Sequence, residues 1–263
     1  MYAARTVSPD ADLPRASLRR QAVVLCGGLA TRLLPRTERV PKFLLPVAGR
    51  PFAGWLLERL AACAYDEVVL CVGHLGDAIE DAVGDGLAFG VPVRYSREGP
   101  RLLGTAGALR AAVDILDATF LVTYGDSYLP FDYRMPLDDL RAHPDDLGTM
   151  SVFENHDRWD ASNTAIRGDH VLRYDKRVAG ATPDGELAFI DYGALALARS
   201  VVAELPPATP LGLDAIQTRL AAEGRLRALV AERRFFEIGS HAGLAELEQR
   251  LGGSAPGGAG ATP

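Results

Sequence analysis

The chain has 263 residues, a formal net charge of −6 and 48% hydrophobic residues, the profile of an ordinary globular protein. That length accommodates one α/β domain with a core that needs no metal or disulfide staple. The acidic balance argues against nucleic acid or an anionic membrane as main partner, and no run reaches the ~20 apolar residues of a membrane span.

Residues 1–20 have no apolar periodicity and read as a flexible leader; no apolar core precedes a cleavage site there. Gln21–Cys26 is a continuous apolar run, the mark of a strand covered on both faces. Pro51–Cys63 carries apolar residues at helical spacing, with proline in the first turn, where its missing donor costs nothing. A strand at Glu67–Val72, a helix at Leu75–Val83, a strand at Val91–Ser96, an alanine-rich helix at Gly104–Ile115 and a buried strand at Thr119–Tyr124 follow. Strand and helix in alternation with short connections predict βαβ units. Beyond Asp126 the pattern changes to shorter strands at Thr149–Phe153, Asn163–Arg167, Val171–Tyr174 and Ala188–Ala196, with a turn at Pro183-Asp184-Gly185. Leu213–Ala222 reads as a helix, Leu226–Val230 as a strand and His241–Leu251 as a last helix. Residues 252–263, rich in glycine, alanine and proline, read as a disordered tail. A single domain is therefore expected over residues 21–251. Cys26, Cys63 and Cys71 are odd in number and lack C-x-x-C spacing, which predicts reduced thiols in a cytoplasmic protein.

Two turns on one edge of such a sheet carry suggestive chemistry. Ligands in open α/β sheets sit outside the carboxyl ends of the strands, where Gly27-Gly28 and Gly125-Asp126 both fall. Glycines let a backbone approach an anion and supply φ values that other residues resist. Arg32 and Lys42 then add a fork and a point charge. The P-loop pattern and the dinucleotide fingerprint are both absent. Asp126 reads as a turn or capping aspartate, or as a ligand of Mg²⁺. Glu237, after an aromatic pair and before Gly-Ser, has no role evident by itself. Lys176 suits an exposed hairpin. Asp191 lies in an apolar stretch, where a charge should find a partner. His74 and His156 suit loops, Trp55 a helix core, and Arg233-Arg234 a solvated face.

The string GG-x-x-T-R-L…P-K-x-L-L-P-V-x-G-x-P, from Gly27 to Pro51, resembles the signature of the sugar-1-phosphate nucleotidyltransferases. Ala30 stands where that family commonly has glycine. The resemblance extends over roughly residues 21–250. It implies a mixed, mainly parallel Rossmann-like sheet flanked by helices, without a C-terminal β-helix. It also implies the reaction of a nucleoside triphosphate with a sugar-1-phosphate to give an NDP-sugar and pyrophosphate. Carried over residue by residue, it places Leu25, Gly27, Gly28, Arg32, Gly104, Thr105, Ala106 and Gly125 around the nucleotide. Arg32 would face the pyrophosphate, and Lys42 the α-phosphate or the sugar phosphate. Lys176, with Asp175 in place of the family's glutamate, would hold the sugar phosphate, and Asp191 and Gly193 the sugar hydroxyls. Asp126 and Glu237, the latter in place of an aspartate, would hold Mg²⁺. The wording LGTAGAL (Leu103–Leu109) is most like the guanylyltransferase branches acting on mannose- or heptose-1-phosphate, which favours GTP. Uridylyl or thymidylyl transfer to another sugar phosphate is the near alternative. A non-catalytic nucleotide-sugar-binding relative is a further one, and a nicotinamide dehydrogenase is disfavoured by the missing glycines. A homo-oligomer is compatible with all of this.

Overall fold

The computed structural model describes residues 19–99, 101–176 and 187–252. Of the expected leader (1–20) and tail (252–263), residues 1–18 and 253–263 lie outside the described residues, as does the Pro183-Asp184-Gly185 turn, while Gly252, expected in the tail, ends the last helix. β1 (Gln21–Leu25) leads through two 3₁₀ turns, Thr31–Leu33 and Lys42–Leu44, into a short ladder of β2 (Pro46–Val47) and β3 (Arg50–Pro51). Next come α1 (Phe52–Ala62), β4 (Glu67–Val72), α2 (Gly76–Val83), β5 (Val93–Arg97), α3 (Gly104–Ala112) and β6 (Thr119–Tyr124). The second half holds β7 (Ser127–Tyr128), α4 (Met135–Ala142), β8 (Gly148–Glu154), β9 (Thr164–Arg167), β10 (His170–Tyr174) and β11 (Phe189–Ala198). It closes with α5 (Arg199–Ala203), α6 (Leu213–Ala222), β12 (Leu226–Ala231), β13 (Phe236–Glu237) and α7 (His241–Gly252).

Among the described residues, nine strands form one sheet in the order β5-β4-β1-β6-β11-β8-β12-β10-β9. Pairing is parallel from β5 to β6 and between β8 and β12, and antiparallel where β11 joins β6 and β8. The sheet is mixed, with its parallel block in the first half, as the βαβ rhythm implies. Alternate residues of the central strands feed two cores. Ala22, Val24, Val68, Leu70 and Leu121 join one face with residues of α1, α2, α4 and α7. Val23, Val69, Phe120 and Val122 join the other with residues of α3, α5 and α6. Both faces are thus covered, which is why these strands read as unbroken apolar runs rather than as alternation.

α4 and α5 are additions to the elements expected from sequence. α4 buries only Pro136, Leu137 and Leu140, and α5 only Val201 and Val202. Neither span is long enough to declare a helical period. The β7–β13 ladder is equally silent in sequence, because it pairs two residues with two others more than a hundred positions away.

Candidate functional site

β1 and β6 are parallel neighbours, paired Leu25 to Tyr124, so Gly27-Gly28 and Gly125-Asp126 leave the same edge of the sheet. A cavity of about 240 Å³ opens there, lined by Leu25, Gly27, Gly28, Lys42, Gly104, Thr105, Gly125 and Asp126 among others. A second, of about 220 Å³, is lined by Arg32, Asp126, Asp160, Asn163, Lys176, Asp191, Gly193 and Glu237 among others. Tyr124 and Asp126 belong to both walls. The two cavities therefore meet at the aspartate that follows β6.

Each cation is presented by a short turn with a buried foot. Leu33 is fully buried beside Arg32, and Phe43 is buried beside Lys42. Lys42 Nζ meets Asp126 Oδ2 at 2.7 Å, a charge-assisted bond of the stronger kind. β13 pairs Glu237 with Ser127 of β7, and the Ile238 N–H donates to the Asp126 carbonyl at 2.9 Å. Backbone pairing thus sets the two carboxylates side by side. A Cβ added to Gly239 would lie 3.3 Å from Arg32 Nη2, 3.7 Å from Asp126 Oδ2 and 3.8 Å from Glu237 Oε2, so all three groups converge over that glycine. Glu237 reaches solvent along the cavity wall while protein crowds its other side. Lost hydration first, and the charge of Asp126 second, push its carboxyl up to about 7 against the pull of Arg32 and Lys42. Among the described residues no group of three or more His, Cys, Asp and Glu is placed to hold a metal ion. Asp126 and Glu237, two carboxylates beside the cavities, nevertheless form a donor set that would suit Mg²⁺, which takes one or two carboxylates plus phosphate oxygens and water.

Glycine plays a different part in the Gly27-Gly28 turn from the one expected. Neither residue has a positive φ; the left-handed position of the loop is Ala30, at φ 50°. Gly27 is required by close packing, since a Cβ would meet Gly73 N at 2.8 Å, whereas one on Gly28 would meet nothing among the described residues within 4 Å. At the start of α3, Gly104 has φ +70° and would drive a Cβ to 2.7 Å from the Leu211 carbonyl. Thr105 Oγ1 accepts the Leu213 N–H at 2.7 Å. These two residues line the first cavity while also fastening α3 to the start of α6. Ala106 turns away into the core beneath β1, and its N–H is taken by the Leu211 carbonyl.

In the second cavity, Asp191 accepts the Gly193 N–H through Oδ1 at 2.9 Å and Gln217 Nε2 through Oδ2 at 2.8 Å. Burial raises its pKa, opposed by these two bonds and by Lys176. Asp175 does not line the cavity; its Oδ2 lies 3.5 Å from Arg173 Nη2. The sequence reading did not single out Glu98, Asp160, Asn163 or Gln217. Glu98 Oε2 accepts the Leu103 N–H at 2.6 Å, and its Oε1 would be 3.0 Å from a Cβ on Gly27. Burial raises its pKa while the Leu103 bond lowers it. Its place one residue past β5, on the same sheet edge as Gly27 and Gly125, was the available signal. Trp159 is 55% exposed and lies against the Arg234 guanidinium at 3.9 Å, while Arg234 also pairs with Glu246.

A model of the nucleotidyl transferase family matches residues 21–167. The chain belongs to the nucleotidyl transferase family. N-acetylmuramate alpha-1-phosphate uridylyltransferase of Neisseria meningitidis is 38% identical over 48% of this chain and 55% of its own length. D-glycero-alpha-D-manno-heptose 1-phosphate guanylyltransferase of Campylobacter jejuni is 32% identical over 60% of this chain and 69% of its own. The first of these matches thus spans about half of its relative. A solved structure titled as a putative glucose-1-phosphate thymidylyltransferase from Bacillus anthracis superposes with a TM-score of 0.77 at 20% identity, over 91% of this chain and 98% of that one. This likeness establishes the nucleotidyl transferase fold of the mixed sheet. Among the described residues no helix is long and apolar enough to cross a membrane.

Proposed function

We propose that this chain transfers a nucleotidyl group from a nucleoside triphosphate to a sugar-1-phosphate, releasing pyrophosphate. The observation that carries the reading is the pair of cavities joined at Asp126, one lined by the glycine turns and the other by Arg32 and Lys176. A sugar-phosphate oxygen entering from the second cavity attacks the α-phosphorus. The bond from that phosphorus to the bridging oxygen of pyrophosphate breaks on the opposite side. No covalent enzyme intermediate is needed, so catalysis rests on positioning and charge neutralisation. In this reading Arg32 takes charge on the leaving pyrophosphate, Lys42 on the α-phosphate or the sugar phosphate, and Lys176 orients the attacking phosphate. Asp126 and Glu237 are the residues that would hold Mg²⁺, which supplies positive charge to phosphate oxygens.

GTP is the favoured donor. Glu98 is an ionisable carboxylate pinned at the wall of the first cavity by Leu103, and an ionised carboxylate only accepts hydrogen bonds. Guanine offers two adjacent N–H donors on one edge, whereas uracil and thymine flank a single N–H with two carbonyls. The LGTAGAL wording and the heptose-1-phosphate guanylyltransferase relative support the same choice, with heptose- or mannose-1-phosphate as acceptor. A uridylyltransferase is the second reading, favoured by the 38% identity to the N-acetylmuramate enzyme. The test is pyrophosphate release from purified protein and Mg²⁺ over a matrix of five nucleoside triphosphates and a sugar-1-phosphate panel that includes mannose, D-glycero-D-manno-heptose and N-acetylmuramate, with product masses. Turnover confined to GTP is expected. Turnover confined to UTP would replace the first reading with the second, and nucleotide binding without turnover would leave a non-catalytic binding protein.

A further inference from the structure

The inner face of α6 is apolar except at one position. Leu213, Ile216, Leu220 and Ala221 are buried, and Gln217, among them, is 1% exposed. A primary amide in a core is unfavourable unless its polar atoms are satisfied, yet among the described residues Gln217 Oε1 has no partner. Its Nε2 makes one good bond, to Asp191 Oδ2 at 2.8 Å, and a long contact to Met150 Sδ at 3.6 Å. An apolar residue would suit this helix face better, so the bond to Asp191 is what the amide contributes.

Asp191 sits where β11 leaves regular pairing. The register with β8 shifts between Asp191 and Leu195, and Gly193 takes φ +93°, so the Gly193 N–H turns back to Asp191 Oδ1. Irregular strand positions beside a cavity re-aim a side chain, but they do not by themselves hold it still. Gln217 supplies the second point of attachment, from a different element. Asn163 Oδ1 receives the Asp191 backbone N–H at 3.1 Å, so main chain and side chain are fixed separately.

We propose that Gln217 is a positioning residue for acceptor-sugar recognition: from the buried face of α6 its amide orients the Asp191 carboxylate along the wall of the second cavity, leaving that carboxylate's remaining lone pairs to a sugar hydroxyl. The inference rests on the proposed sugar-1-phosphate reaction and on Asp191 facing the sugar. Gln217 itself touches no substrate. Its N–H also favours the ionised acceptor form of Asp191 over the neutral form that burial favours.

Steady-state kinetics of the full chain test this, using GTP and mannose-1-phosphate or whichever pair of the matrix turns over. Gln217→Leu keeps the volume and removes the donor. It should raise the KM for the sugar phosphate by about tenfold, the size of one lost bond to a charged group, with the KM for the nucleotide within about twofold and a cooperative melting transition retained. Asp191→Ala should raise the same KM at least as much. The double variant Gln217→Leu/Asp191→Ala should be no worse than Asp191→Ala alone, because residues acting through one group are not additive. An unchanged sugar KM in Gln217→Leu, an equal rise in both KM values, or additive losses in the double variant would each overturn the positioning role. If Asp191→Ala leaves the sugar KM unchanged, the assignment of Asp191 fails, and this inference with it. Absence of turnover with every pair would refute the reaction that both require. Should Gln217→Leu not fold, Gln217→Met is read by the same criteria.

Discussion

The two adjacent glycines after β1 have opposite reasons for lacking a side chain, and alanine substitutions separate them. At Gly27 the obstacle is the protein itself. A Cβ would lie 2.8 Å from Gly73 N and 3.2 Å from Gly73 Cα, and backbone at the ends of two paired strands cannot retreat cheaply. Gly27→Ala should destabilise the free protein by about 1–3 kcal/mol, as overpacking does. At Gly28 a Cβ would meet nothing among the described residues within 4 Å, and its φ is not in the left-handed region. Gly28→Ala should therefore leave the free protein unchanged or stabilise it by about 0.4–1 kcal/mol through the unfolded chain. For a domain of this size about 1 kcal/mol moves the melting temperature by roughly 2–4 °C, so the two variants should shift in different directions. The cost of Gly28→Ala should appear only when a nucleotide is added, because the methyl occupies space that a phosphate approaching the turn requires. Thermal denaturation without ligand, together with calorimetric titration of GTP and UTP, reads both effects. If Gly28→Ala binds nucleotide as tightly as the parent, no phosphate rests against this turn and the assignment of the first cavity is wrong.

Three further outcomes follow from the same geometry. Glu237 binds a proton more readily folded, at about 7, than at its ordinary 4.5, so between those values the native state holds extra proton and stability from this group falls as pH rises. Unscreened, the shift amounts to about 3 kcal/mol, and the solvent-open side chain reduces that to about 1 kcal/mol. Metal-free Glu237→Gln should thus melt roughly 2–4 °C above the parent at pH 8 and level with it at pH 4; no gain at pH 8 would refute the crowding. Ala30 holds φ 50° and ψ 39°, a conformation costing about 1–2 kcal/mol for a residue with a Cβ. Ala30→Gly should then stabilise by a net ~0.5–1 kcal/mol after glycine's greater chain entropy, read as a raised melting temperature. Arg32 is exposed, so Arg32→Ala should leave the melting curve in place while lowering kcat for pyrophosphate release about 10²–10³-fold, the scale of one transition-state donor.

What the sequence disclosed and what it withheld divide along the length of the contacts. The buried strands β1, β4 and β6 were legible because both faces are covered and most of their residues are apolar. Among the helices, α1 was legible from its periodic apolar face and α3 from its alanine content, and α2, α6 and α7 were also read as helices. Gly27-Gly28 and Asp126 could be set on one edge because parallel strands put their carboxyl ends together. The pairing of Glu237 with Ser127 left no pattern, since a two-residue ladder is too short for one. The orientations of Ala106 and Asp175 were also illegible: motif position carries a residue to a segment, and only packing decides which way it faces. Gln217 falls on the apolar face of α6, where a polar residue reads from sequence as an error of period.

The placement of the two carboxylates also bears on why a cation belongs to the reading. Asp126 and Glu237 are brought together by backbone hydrogen bonds, so their backbones cannot separate without breaking the ladder. Lys42 offsets one of them directly, and Arg32 acts on the other. With nothing bound, two positive groups thus face two negative ones. In the proposed reaction a nucleoside triphosphate would bring further negative charge into the same space, and Lys42 could not serve Asp126 and a phosphate equally well. Asp126 and Glu237 would hold a hard divalent ion, which would supply positive charge to phosphate oxygens and leave Lys42 to the substrate. On this argument the Lys42–Asp126 bond is a resting-state contact. Asp126→Asn, which weakens Lys42's anchor and halves the carboxylate pair, should then raise the Mg²⁺ concentration needed for half-maximal turnover. An unchanged Mg²⁺ requirement would place the cation elsewhere.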